Sequence, residues 1–256
     1  MDFNSCSAET FFIVAARNQK NLDAKIAELQ KMNVSFIIVC GEKANHPNVV
    51  HQENGGKWTA INFAATFIPK EAKVIVLNDV DTKIHNFKLA FACLSEKIAL
   101  VYCRVQLSQG PQVKFYKILD PLRKHFHIAA SGELMLIRKE VFERVLPLPA
   151  CTAEDSYILF KALELGYQAK FCTSAYVTTE RTHNAKEEAA YKNRTTLGIY
   201  QALNHTKPPI VIRVFYVILP LLAPMLCLAG KDGRSWTKGI NRALKDRLMK
   251  RNPSKF

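Results

Sequence analysis

Between Val74 and Thr82 the chain reads VIVLNDVDT: four apolar residues, mostly β-branched, running straight into Asn-Asp-x-Asp. A short continuous apolar run is how a strand buried on both faces of a parallel sheet reads. In open α/β sheets ligands collect beyond the carboxyl ends of such strands. Asp79 and Asp81 therefore fall where a site is expected, with hard oxygens suited to sharing one divalent cation with a diphosphate. The plainer alternative is a turn, since Asn and Asp favour turns.

The preceding residues supply the sheet that such a strand needs. Phe11–Ala15 reads as a first strand and Asn21–Met32 as an amphipathic helix, with Leu22, Ile26 and Leu29 at helical spacing. Val34–Cys40 is a second buried strand, so the first 40 residues make a right-handed βαβ unit. Val49–His51 is a short third strand. Further strands are expected at Ile98–Leu107, Ser131–Arg138 and Ala169–Thr173, with helices at Asn86–Leu94, Val113–His127 and Lys139–Val145. Thr152-Ala153-Glu154-Asp155 opens another helix, which stops at Gly166, a residue suited to ending one.

Three of these stretches carry chemistry. Asn54-Gly55-Gly56-Lys57 is a glycine turn opening a helix, a place where backbone can approach a phosphate and Lys57 adds a cation. Val113–His127 is basic and amphipathic; its cations, Arg123 among them, are read as a solvated face, with acceptor contact the alternative. Glu154 and Asp155 either complement the helix dipole or aim Asp155 into the crevice as a base.

Charge and hydropathy divide the chain. Of a net charge of +14, half lies in residues 231–256, which hold nine Lys/Arg and two Asp. Ile210–Gly230 just before them (IVIRVFYVILPLLAPMLCLAG) has one charge, Arg213. An apolar segment with a basic flank points to a membrane rather than to nucleic acid. The seven cysteines are scattered singly, which fits reduced thiols, and MDFNSCSAET has no secretory pattern, so a cytosolic catalytic part is expected.

In this order the motifs resemble those of glycosyltransferase family 2, enzymes of the GT-A fold that use nucleotide-activated sugars, over about residues 10–200. IVAARNQ (13–19) is similar to the family's first strand and base-wrapping turn, and GKWTAIN (56–62) to its diphosphate-contacting stretch. Asp79-Val80-Asp81 matches the DxD motif. SGELMLIRKEVF (131–142) resembles the strand and helix beside the acceptor. AED (153–155) with LELGY (163–167) is similar to the helix carrying the catalytic base. AYVTTERT (175–182) and YKNRTTLG (191–198) resemble stretches of the polysaccharide-synthase branch.

The resemblance implies a mostly parallel α/β sheet with helices on both faces. It implies Asp155 as catalytic base and Asp81 with Asp79 as ligands of Mn2+ or Mg2+. Ala16, Asn18, Glu42, Lys57, Asp79 and Arg194 would face the nucleoside diphosphate sugar, and Ser131, Gly132 and Glu154 the acceptor. One base without a covalent nucleophile implies inversion. Where the family carries an aspartate after its second strand, this chain has Cys40-Gly41-Glu42, with Glu42 the substitute. Tyr191 and Thr195 replace the family's Gln and Trp, which argues against processive synthesis.

The expected organisation is a catalytic domain over 1–206 and a membrane-associating segment with a basic amphipathic helix over 207–256. Residues 210–250 would hold the enzyme at the cytoplasmic face of the cell membrane, acting on a lipid-linked or saccharide acceptor. Pro220 and Pro224 interrupt the apolar run, and a straight span would put the basic tail on the far side. A bent segment is therefore expected, with Trp236, Ile240, Leu244 and Leu248 on one inward face. The competing readings are a sugar nucleotidyltransferase, an inactive membrane-bound module and a nucleic-acid binder.

Overall fold

The chain folds around one eight-stranded sheet. The computed structural model describes residues 9–53, 55–107, 113–182 and 184–249, together with the backbone but not the side chain of residue 114. The first eight residues, Asn54 of the glycine turn and the last seven residues of the basic tail lie outside them.

Strands β1 (Thr10–Ala16), β2 (Ser35–Cys40), β3 (Val49–His51) and β4 (Val74–Asp79) form the parallel half of the sheet. Beyond them lie β5 (Lys83–His85), β6 (Ile98–Leu107), β7 (Leu134–Arg138) and β8 (Gln168–Thr179). The order across the sheet is β3-β2-β1-β4-β7-β6-β8-β5, with β7 and β5 antiparallel to their neighbours. β8 runs farther than its apolar start suggests. A bulge skips Thr173–Ala175, after which Tyr176–Thr179 pair with the end of β6.

Both faces are covered, as the unbroken apolar strands require. On one face Phe12, Val14, Ile38 and Val76 pack with α1 (Leu22–Lys31) and α3 (Phe87–Phe91). On the other, Phe11, Ile13, Ile75 and Leu77 pack with α2 (Lys57–Ala64), α5 (Lys139–Val145), α6 (Glu154–Glu164) and α7 (Ala185–His205). The helix α4 (Val113–Phe126) is not the fully solvated face read from its charges: Arg123 is 7% exposed, and Phe115 and Tyr116 are buried. Tyr102 explains part of this, since its hydroxyl donates to the Arg123 carbonyl at 2.8 Å and ties the end of α4 to β6.

The C-terminal segment is a helical hairpin. α8 (Ile210–Leu222) continues as a 3-10 turn (Ala223–Ala229), and α9 (Gly230–Leu248) folds back from Gly230. Thr237 Oγ1 donates to the Ala223 carbonyl at 2.6 Å. In a straight helix those residues would stand about 21 Å apart. α9 packs on α7: Trp236, Ile240 and Ala243 are buried, Leu244 is partly so, and Leu248 is 74% exposed. Its apolar face thus turns towards the protein. On α8, Ile212 and Tyr216 are buried while Ile210, Val214, Val217 and Leu221 leave an exposed apolar stripe.

Candidate functional site

The carboxyl ends of β1, β2 and β4 open into a cleft of about 1290 Å3. β1 and β4 run in register, with Ala15 beside Asp79, so the turn after β1 and the acidic turn after β4 share one rim. Ala16, Asn18, Lys57, Asp79, Asp81, Ser131, Gly132, Glu154, Asp155 and Arg194 all line it. Asn18 Oδ1 accepts from the Lys20 amide at 3.1 Å, closing the β1 turn. Glu42 stands apart from the cleft lining, its carboxylate accepting from the Gln19 amide at 3.2 Å and bracing the same turn from outside.

Lys57 is the electrostatic centre. It is the first residue of α2, released by Gly56, whose φ of +80° is open to glycine and strained for other residues. Its ammonium lies 2.6 Å from Asp79 Oδ1 and 3.1 Å from Glu154 Oε1, and donates to the Gly132 carbonyl at 3.3 Å. Burial opposes that charge, but Asp79, Glu154 and Asp155 outweigh it and hold the ammonium above its ordinary pKa. Glu154, 6% exposed, is pushed up to about 7, chiefly by burial, with Lys57 pulling the other way and Asp155 adding to the rise. Burial also raises Asp155, against Lys57 and two amides. Those amides are Gly132, at 3.0 Å to Oδ2, and Ser156, at 2.7 Å to Oδ1. A Cβ on Gly132 would lie 2.9 Å from Lys57 Nζ and 3.0 Å from the Asp155 Cβ, so a side chain there would displace both groups. The turn before β7 is thereby pressed against the base candidate.

The acidic turn after β4 is held from beneath by Lys25, a residue that the sequence reading passed over. Lys25 is 2% exposed and donates to Asn78 Oδ1 at 2.8 Å, the Thr82 carbonyl at 2.6 Å and Glu28 at 2.6 Å. Its only signal in the sequence is a lysine one step before Ile26 on the inward face of α1. Burial lowers its pKa, with Glu28 opposing. This brace leaves the Asp81 side chain exposed to the cleft. Although the residue is open to the cleft, its walls bury it in part, and that partial burial and then the neighbouring Asp79 raise the Asp81 carboxyl, with Arg181 and Lys57 opposing. Two carboxylates that repel each other at one turn fit a hard divalent cation. Among the described residues no cluster of three or more His, Cys, Asp or Glu could enclose one, so a cation here would need ligands from a bound anion.

Arg181 is a second residue that the motifs left unassigned. It pairs with Glu133 and donates to the Tyr116 and Tyr191 hydroxyls. Its guanidinium carbon lies 5.4 Å from the Tyr116 ring centroid and 5.0 Å from that of Tyr191, with Arg194 5.5 Å over the latter. Tyr191, where the resembled family has Gln, thus spaces two arginines at the cleft. The lining also has an apolar part, made by Phe215, Leu219, Leu222 and Leu226 of the hairpin and by Leu119 and Leu122 of α4.

With this geometry in view the solved structures can be compared. A mannosyltransferase from Pyrobaculum calidifontis, PcManGT, in complex with GDP-Man and Mn2+, matches with a TM-score of 0.71 at 17% identity, over 95% of this chain and 88% of that one. The fold is the GT-A fold. GalNAc-T7, with UDP, GalNAc and Mn2+, matches at a TM-score of 0.56 and 11% identity. That match covers 94% of this chain and 58% of that chain. No protein-family model and no curated protein sequence matches the chain. At these identities the likeness concerns architecture, and the chemistry has to be argued from the cleft.

Proposed function

We propose that the chain is a metal-dependent, inverting glycosyltransferase of family 2 type, moving a sugar from a nucleoside diphosphate sugar to a lipid-linked or membrane-presented acceptor, one sugar at a time. The observation that carries this reading is the meeting of two charge systems at one cleft. The Asp79/Asp81 turn stands with Lys57, Arg181 and Arg194, and the buried Glu154/Asp155 pair stands beside them. The first suits a diphosphate; the second suits proton removal from a hydroxyl.

In this reading Asp81 and Asp79 would hold Mn2+ or Mg2+, which when bound supplies charge neutralisation for the diphosphate. Lys57 and Arg194 add fixed positive charge where the leaving group gains negative charge, and Arg181 supports the same region through its contacts with Tyr116 and Tyr191. Asp155 takes the proton of the acceptor hydroxyl as the new glycosidic bond forms and the bond to the diphosphate breaks. Its two backbone hydrogen bonds, to Gly132 and Ser156, fix the carboxylate plane for that task. Ala16, Asn18 and the turn braced by Glu42 border the end suited to the nucleotide. Ser131, Gly132 and Glu154 border the acceptor side.

Residues 1–206 serve as the catalytic unit and 207–256 as the membrane-associating one. The exposed stripe of α8 would dip into the cytoplasmic leaflet, with the basic residues of α9 towards lipid headgroups. A helix of this length and apolarity supports an anchor, and the hairpin supports entry and return on one side.

The test is release of nucleoside diphosphate from a panel of sugar donors with Mn2+ or Mg2+ and membranes, followed by lipid extraction. Donor-dependent label in the lipid fraction supports the reading. Formation rather than consumption of a nucleotide sugar would favour a nucleotidyltransferase, and no turnover with any donor would leave an inactive module.

A further inference from the structure

Seven lysines and arginines line the cleft, Arg123, Arg181, Lys192 and Arg194 among them, and the donor chemistry above uses only part of them. Arg181 is paired with Glu133, and Arg194 stands beside it over Tyr191. Arg123 and Lys192 line the same cleft, together with Leu119 and Leu122 of α4. The Arg123 side chain is 9% exposed, and its NH1 is buried without a hydrogen bond; the nearest carboxylate oxygen, on Asp120, is 3.7 Å away. Its guanidinium carbon sits 5.0 Å from the Tyr116 ring centroid, the same ring that carries Arg181. A buried guanidinium with an unused donor is costly unless an anion completes it.

Lys192, one residue after Tyr191 on α7, contributes a second buried cation. Its ammonium lies 4.1 Å from the Trp236 ring centroid, and among the described residues no carboxylate is within ion-pair distance of it. Burial, and then Arg123, lower its pKa to about 8, with Glu188 opposing. The two cations therefore stand close enough to feel each other in a buried setting. Both residues line the cleft, as does Asp155, whose carboxylate feels Arg123.

The surroundings narrow the anion. Leu119 and Leu122, which share α4 with Arg123, and Phe215, Leu219 and Leu222 of α8 line the same cleft. Leu222 is already 47% exposed, and Leu221 next to it 77%, so the apolar lining runs out into the stripe on the hairpin's outer side. A soluble anion would gain nothing from such a wall. An amphiphile with a phosphate head matches both parts, since burying its chain against that wall removes apolar surface from water.

We propose that Arg123 and Lys192 form a second anion subsite, distinct from the diphosphate end, which binds the phosphate of a lipid phosphate acceptor whose chain leaves along Leu119, Leu122, Phe215 and Leu219. This deepens the glycosyltransferase reading and rests on it for the word acceptor. The phosphate is the anchoring group, and the attacking hydroxyl belongs to the part of the acceptor nearer Asp155. A phosphate oxygen is already anionic and would not require that base.

The experiment titrates the full chain in detergent micelles with a polyprenyl phosphate, the matching neutral polyprenol and inorganic phosphate, by calorimetry and without sugar donor. The polyprenyl phosphate is expected to bind at least tenfold tighter than either of the others. Arg123→Gln and Lys192→Gln are each expected to weaken it by roughly 10- to 100-fold, as for loss of a charged hydrogen-bond partner. The affinity of both variants for a nucleoside diphosphate with Mn2+ should stay within about twofold of the unsubstituted chain. Equal binding of the polyprenol would overturn the anion subsite, and equal binding of inorganic phosphate the lipid. Unchanged lipid phosphate binding by the variants would remove these two residues. If Arg123→Gln does not fold, Lys192→Gln and the three ligands on the unsubstituted chain still decide. Because no donor is present, a chain inactive on every sugar could pass this test. A chain that transfers sugar normally but whose Lys192→Gln variant binds polyprenyl phosphate unchanged would fail it while keeping the broader function.

Discussion

The two ends of the cleft are built on opposite principles. Around the Asp79–Asp81 turn, where the diphosphate end meets the base, each charge on Lys57, Glu154 and Asp155 has a partner on another element: Lys57 on α2 meets Asp79 on β4 and Glu154 on α6, and Asp155 meets the turn before β7. Lys25 locks the Asp79–Asp81 turn from below. At the hairpin end Arg123 and Lys192 lack such partners, and the wall is apolar and partly open. A site whose groups satisfy one another is preorganised for small, charged, repeatable chemistry. A site with unused donors and bare apolar surface is complete only with something bound.

The largest effects should separate these ends. Asp155→Asn is expected to lower transfer by about 10²–10⁴-fold while leaving donor affinity near its original value, because a base is lost and the diphosphate contacts remain. Asp81→Ala should lose transfer and donor binding together. Calorimetry with donor and Mn2+ on both variants checks this, and equal donor affinities in the two would dissolve the division of roles.

Trp236 joins the two ends, and its removal tests whether the hairpin is part of the folded unit. It stacks on Phe115 at 4.3 Å, and its Nε1 donates to Glu188 at 2.5 Å; the other oxygen of that carboxylate accepts from Thr182, next to Arg181. Trp236→Ala should cost about 3 kcal/mol, the scale of a large buried aromatic truncation. Urea unfolding followed by far-ultraviolet circular dichroism measures it. A cost below about 1 kcal/mol would make the hairpin an appendage with no hold on the site.

Glu154 gives a smaller effect with a definite sign. Its carboxyl is raised from 4.5 to about 7 in the fold. Between those values the folded chain binds more protons than the unfolded one, so this group's contribution to stability is fully present below about 4.5 and is lost as pH rises towards 7. The expected change is on the order of 3 kcal/mol over that window. Glu154→Gln should flatten it, read from melting temperatures at pH 5 and pH 8. A slope that survives the substitution would place the buried proton elsewhere.

The diphosphate end was more legible in the sequence than the hairpin end, for a physical reason. Strands such as Val74–Asp79 and Ile98–Leu107 are buried on both faces and announce themselves as unbroken apolar runs. Lys57, Asp79 and Asp81 then follow from where such strands stop. β5 has only three residues, and the far part of β8 alternates polar and apolar after a bulge, so neither produces a run. Lys25, Arg181 and Arg123 carry contacts set by tertiary packing, with Lys25 and Asn78 lying 53 residues apart, and no local spacing encodes those. Arg123 in particular sits in an amphipathic basic stretch whose commonest fate is solvent. On α9 the periodicity rightly grouped Trp236 with Ile240, but it could not tell that α7 would cover them.

The smallest effect is the one whose sign discriminates most. Gly230 has φ +78° and ψ −146°, a region that residues with a Cβ avoid, and the chain reverses there between the apolar limb and α9. A Cβ added to Gly230 would have nothing within 4 Å, so substitution introduces no collision. Gly230→Ala should therefore cost about 1–2 kcal/mol through backbone strain alone. If residues 210–248 instead formed one continuous helix across a bilayer, position 230 would be an interior helical site. Alanine would then stabilise it by about 0.5–1 kcal/mol. Urea unfolding of the detergent-solubilised protein distinguishes a loss from a gain. Reconstitution in vesicles with protease added outside provides the geometric counterpart: in the hairpin the basic tail and the catalytic unit are cut from the same side. A gain in stability, with the tail cleaved only from the side opposite the catalytic unit, would replace the hairpin by a span and detach the apolar wall from the cleft.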